Sequence, residues 1–404
     1  MNILPVRSLP AFGVLVLAVA CGGARPDAPF EVRQRFEAAG LSPVGIRFSI
    51  QPEHQRAQQR YVRAAMATLK NLGEWLGPFP QPSLAIVDPP WHGSPTITAD
   101  AAVVLARTPW WSTTTSMAPE LATARGVSRR VLSTLVDTRA LPSWFVDGFA
   151  EYASRRIVAA LFEQENLPPG YALVEERYFD RFVPLPVRIR RLADSATGVP
   201  ARVSRAFLLF GTLERWLSRP VFDQIVAEFV RASRGGHPTV ADFSRTASDV
   251  SGQDLSWLFD EALGSLRVFD YGVGHLESAR TADRAFDTTV TVRRFGDAQF
   301  TGASATPVGP FESGRGLVLR VIFEDGQQRT DYWDGRSLEK TFRYRSPARA
   351  VSAAIDPDHL LLLDLKHTNN SITLAPQAGV VASRWAIRWL PWLMHALLNA
   401  AALV

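Results

Sequence analysis

Apolar residues recur at helical spacing as far as about residue 270 and at every second position afterwards. Tyr61, Ala64, Ala65, Leu69, Leu72 and Leu76 fall on one face of a helix predicted over 55–76, which Gly77-Pro78-Phe79-Pro80 stops. Short strands are expected at 46–50, at 83–87 before Asp88-Pro89-Pro90, and at 101–106. Leu121, Ala124, Val127, Val131, Leu132 and Leu135 make one face of a second helix over 120–136. A third helix opens near Pro142 with an apolar stripe from Trp144, Phe145, Phe149 and Tyr152 to Ile157 and Leu161. Its opposite face sets Asp147 and Glu151 one turn apart. Helices over 202–217 and 220–233 follow, and Thr239 caps a further one. From Tyr271 the period is two, with strands at 288–292, 317–323 and 350–355 and turn signals at Asp325-Gly326 and Asp334-Gly335. The expected class is α+β: a mainly helical lobe over 46–270, then a small β-sandwich over 271–372.

Composition changes this picture little. The 404 residues carry 44 Lys+Arg against 39 Asp+Glu, and lysine occurs only at Lys70, Lys340 and Lys366. No basic stripe interleaved with aromatics accompanies the arginines, so no nucleic-acid partner is expected. The ends change it more. Arg7 precedes an apolar run over 9–20, and Ala18-Val19-Ala20-Cys21-Gly22-Gly23 resembles a bacterial lipobox. Residues 1–21 are therefore expected to be a lipoprotein signal peptide ending at Cys21, with 22–45 as a tether and the protein outside the cytoplasm on a bacterial membrane. Cys21 is the one cysteine, so no disulfide forms within the chain. At the other end, in a segment taken as 380–404, residues 382–404 set Trp385, Trp389, Trp392, Leu393 and Leu397 opposite Arg384, Arg388, His395 and Asn399. That is an amphipathic helix expected to lie on a membrane or to pack on its own protein, more than to span a bilayer.

The words along the chain carry a family likeness. Trp144 to Tyr152 reads WFVDGFAEY and resembles the WLNEGFAEY helix of gluzincin zinc metallopeptidases of the membrane-alanyl-aminopeptidase type. EWLGPFPQPSLAIVDPP and TVADFSRTASDVSGQDLSWLFDEAL are similar to further segments of that family. The resemblance implies a thermolysin-like, mainly helical lobe in which Asp147 stands at the third zinc ligand. It also implies an HExxH helix upstream, where this chain has Gly126-Val127-Ser128-Arg129-Arg130. Gly126 and Arg130 replace the histidines and Val127 the catalytic Glu. A second register, over Pro119 to Thr123, keeps Glu120 but has no His. The region of the amine-anchoring motif reads SPTITADAAVVLAR without Met-Glu-Asn, and Val203 stands near the family's catalytic Tyr.

These departures imply a protein without zinc and without a catalytic base, its residual cleft near Arg129, Glu151 and Glu120. Arg130 is expected to pair with Asp147 and stand in for the dication; the bland alternative leaves both on the surface. No two histidines sit at i, i+4, and His359 and His367, flanking a strand expected at 360–366, read as satisfied or exposed side chains. No GxSxG elbow occurs. Asp147 and Glu151 are a candidate acid/base pair, although helix carboxylates at that spacing are usually solvated or salt-bridged. The expected role is non-catalytic, binding a peptide or protein partner in the cell envelope. Two alternatives stand beside it: a hydrolase with an atypical site, and a scaffold docking a membrane complex.

Overall fold

The computed structural model describes residues 29–90, 103–108, 118–164, 199–264, 267–301 and 316–374. Cys21, the run before it and residues 382–404 lie outside these. The fold is α+β. A four-stranded sheet has the order β1 (Phe30–Phe36), β2 (Val44–Ile50), β3 (Ser83–Val87), β4 (Val103–Leu105). β1 and β2 are antiparallel, while β2, β3 and β4 run parallel. Strand β1 corrects the reading of 22–45 as a tether. Phe30, Val32 and Phe36 do alternate, but β1 is an outer strand exposed at most positions, so its pattern is mostly polar.

Between β2 and β3, a 3-10 turn (Pro52–Ala57) leads into α1 (Gln58–Leu76), which buries the predicted Tyr61, Ala64, Ala65, Leu69, Leu72 and Leu76. α2 (Ala118–Leu135) and α3 (Ser143–Gln164) follow, then α4 (Val199–Leu217), α5 (Arg219–Ala232), α6 (Val240–Ser251) and the short α7 (Ser256–Phe259). Thr239 caps α6 as expected. Its hydroxyl accepts from Asp242 N at 3.3 Å, and the Asp242 carboxylate accepts from Thr239 N at 2.8 Å.

α3 is the central helix. Phe145 and Phe149 lie 5.3 and 6.1 Å from Phe210 of α4, and Phe145 lies 5.3 Å from Phe243 of α6. Such edge-on contacts each add about 1 kcal/mol to the area they bury. At its far end Arg156 binds the Asp223 carboxylate of α5 and stacks 4.5 Å from Trp75 of α1. Gly148 is what lets α4 come this close: a Cβ there would stand 2.5 Å from Ala206 Cβ and 3.1 Å from Val203 O.

The β-sandwich packs a three-stranded sheet, β5 (Tyr271–Arg280), β6 (Phe286–Arg294) and β9 (Glu339–Ser346), on a four-stranded one. The latter has the order β11 (Ser371–Thr373), β10 (Ala350–Ile355), β7 (Leu317–Phe323), β8 (Gln328–Trp333). β7 alternates buried and half-buried residues along its whole length, and Asp325-Gly326 makes the β7–β8 turn with Gly326 at φ +80. The apolar core continues from the helices into the sandwich through Trp216, Trp257 and Phe300, whose rings lie 5.2 to 5.8 Å apart. The segment 360–366 is not the strand its leucines suggested. It is a turn with an isolated bridge from Asp364 to Phe269, and it plugs Leu361, Leu362 and Leu363 into that core.

Candidate functional site

Two helices face each other with charges in register. On α2, Arg125 and Arg129 are one turn apart; on α3, Asp147, Glu151 and Arg155 occupy three successive turns. Arg129 Nη1 lies 2.7 Å from Asp147 Oδ1, and Arg125 Nη1 donates to Glu151 Oε2 at 3.1 Å. Arg155 Nε donates to Glu151 Oε1 at 2.8 Å, and its guanidinium stacks 5.1 Å from the Phe207 ring. The inner pair is shielded, with Arg155 and Glu151 side chains 10% and 16% exposed, whereas Arg125 and Arg129 are each 55% exposed.

The two carboxylates differ accordingly. Burial pushes Glu151 up, but Arg155 and Arg125 outweigh it and hold the group below its ordinary value. Burial pushes Asp147 up, and there it prevails over Arg129 and Arg125. Asp147 and Glu151 thus sit on the predicted face, but with arginines as partners. Both carboxylates are salt-bridged, as helix carboxylates at that spacing usually are.

The expected pairing of Arg130 with Asp147 is corrected by one residue: Arg129 makes it, and Arg130 Nη2 donates to Gln81 Oε1 at 3.0 Å. The cause is Gly126. A Cβ on it would collide with Val104 and lie 3.2 Å from Leu105 O, so α2 rests this face on β4. Val127 is fully buried in the core. With those positions turned inward, the arginine pair one turn apart that reaches α3 is Arg125 and Arg129. Glu120 takes no part in this ladder: it is buried and takes two hydrogen bonds from Arg60 of α1, at 2.5 and 2.6 Å. Val203 is half-buried on α4 beside Gly148.

Two polar clusters were not foreseen. At the carboxyl ends of β2 and β3, His54 Nδ1 lies 2.6 Å from Asp88 Oδ2, the side chains 5% and 0% exposed. Gln51 Nε2 donates to Asp88 O at 3.0 Å, and Tyr61, whose phenol burial and then Asp88 hold far above its usual range, packs against them. So enclosed a pair braces the strand ends. The second cluster lies in the β10–β11 connection, 356–370, where it packs on α4. Burial pushes the Asp364 carboxyl up to about 8, while it accepts from Lys366 N at 3.1 Å and Asn370 Nδ2 at 3.2 Å. Leu362 N donates to Thr212 Oγ1 at 3.1 Å, and Arg215 Nη1 to His359 O at 2.6 Å.

Among the described residues, no three or more His, Cys, Asp or Glu side chains gather to hold a metal ion, and no helix is long and apolar enough to cross a membrane. No protein family and no curated protein matches the sequence. In chain path the protein is similar to aminopeptidase A of Legionella pneumophila, solved in complex with aspartic acid. The TM-score is 0.49 at 12% identity, over 83% of this chain and 38% of that one. The chain therefore spans well under half the length of that aminopeptidase, and a likeness of this degree carries no chemistry across.

Proposed function

We propose that this chain is a catalytically degenerate, aminopeptidase-like protein of the bacterial envelope, tethered through Cys21, which binds a peptide or protein partner without hydrolysing it. The observation that carries the reading is the charge ladder between α2 and α3. The gluzincin resemblance calls for imidazoles at Gly126 and Arg130 and for a bound dication, whereas the groups that face Asp147 and Glu151 are the neighbouring Arg125 and Arg129. Fixed guanidinium charges repel a metal cation and satisfy the carboxylates that would ligate it. Neither arginine can take a proton from water, because guanidinium stays protonated at any pH a cell reaches. The half-exposed outer edge of the ladder offers N–H groups suited to a carboxylate on the partner.

The test is hydrolysis of aminoacyl arylamides and short peptides by the full chain, with and without added Zn2+. The expected result is no turnover above buffer in either condition. Turnover abolished by Asp147→Asn would overturn the reading.

A further inference from the structure

We infer that His359 and His367 form a two-imidazole site for a divalent transition-metal ion, which clasps the two ends of the β10–β11 connection where it packs on α4. The rings are perpendicular, with centroids 4.9 Å apart and the two Nδ1 atoms separated by 3.3 Å. A tetrahedral ion bound at about 2.05 Å to each of two imidazoles sets their nitrogens about 3.3 Å apart. Without metal, one Nδ1–H donates to the other Nδ1. On binding, that proton moves through solvent to the Nε2 of the same ring, and both Nδ1 lone pairs turn to the ion.

The backbone holds the pair ready. His359 sits at φ +50, just after Asp356 at φ +48, whose carboxylate accepts from Leu360 N and Leu361 N, both at 2.9 Å. His367 opens the 3-10 turn His367–Asn369. Between them Leu361, Leu362 and Leu363 are anchored in the core, so the eight-residue span from one histidine to the other is already closed, and little ordering remains for the ion to impose. His359 is exposed, which leaves a route for the ion and room for water in the other coordination positions.

The charge around the site is mixed. Arg215 donates to His359 O, His359 N donates to Asp356 O at 3.0 Å, and Asp358 is paired with Arg320 at 2.8 Å. With two protein ligands and water, the order of affinity should be Cu2+ above Ni2+ and Zn2+. The two histidines are satisfied by each other and His359 is exposed, as the sequence implied.

The experiment is titration of EDTA-stripped full chain with Ni2+ by calorimetry, beside His359→Ala and His367→Ala, and electron paramagnetic resonance of the Cu2+-loaded chain. One Ni2+ per chain is expected, weakened about tenfold or more by either substitution, and the Cu2+ spectrum should show coupling to two nitrogens. The Cu2+ spectrum needs no variant and so stands even if His367→Ala perturbs the fold. Absence of binding, binding that survives both substitutions, or coupling to a single nitrogen would each overturn the inference.

Discussion

Glu151→Gln removes the negative charge at the centre of the α2–α3 ladder from beside Arg155, a cation that is only 10% exposed. Breaking a buried ion pair from one side typically costs about 3–5 kcal/mol, because the remaining charge keeps its desolvation penalty. Two features reduce that here. The Gln carbonyl oxygen can still accept one N–H, and the Phe207 ring 5.1 Å from the guanidinium partly replaces the lost attraction. The expected cost is therefore about 2 kcal/mol. Arg125→Gln, on the 55% exposed rim, should cost under about 1 kcal/mol.

Urea denaturation reads both as a shift in midpoint at unchanged slope. The pH profile adds a second readout. Because the folded state holds Glu151 below its ordinary value, its contribution is present above the unfolded carboxylate range and is lost as pH falls through the folded value. That acid limb should flatten in Glu151→Gln. Equal costs for the two substitutions, or a cost below about 0.5 kcal/mol for Glu151→Gln, would refute the claim that the ladder is a shielded structural pair.

Further outcomes follow from the same geometry. Gly148→Ala should destabilise by about 2 kcal/mol on calorimetric unfolding, since the new methyl meets Ala206 and the backbone of α4, which cannot withdraw as a flexible side chain would. Asp364→Asn should gain stability relative to the parent as pH rises. With the folded carboxyl raised to about 8, the parent's contribution is full below the unfolded value near pH 4 and is lost as pH climbs through about 8, and the amide has no such loss. Parallel pH profiles for parent and variant between pH 5 and about 9 would contradict this.

The helices were legible because their stripes are local. Tyr61 to Leu76 of α1 and Phe145, Phe149 and Tyr152 of α3 announce their buried faces at i, i+3 and i+4, and Asp147 and Glu151 announce theirs one turn apart. The register of α2 was not legible. Which arginine meets Asp147 depends on Gly126 resting on Val104, a contact between elements that no periodicity records. The His54–Asp88 brace joins residues 34 apart, each unremarkable where it stands. The leucines of 360–366 read as a strand because a short apolar run looks alike whether it is paired or plugged into a core as a turn.

On the function proposed above, charge fixed on α2 and α3 takes the place of a bound ion. This is tested most directly by elemental mass spectrometry of the purified His359→Ala chain, in which the proposed histidine clasp cannot retain metal. Zinc far below one per chain after dialysis is the predicted result. One tightly held zinc per chain, lost on Asp147→Asn, would contradict the account.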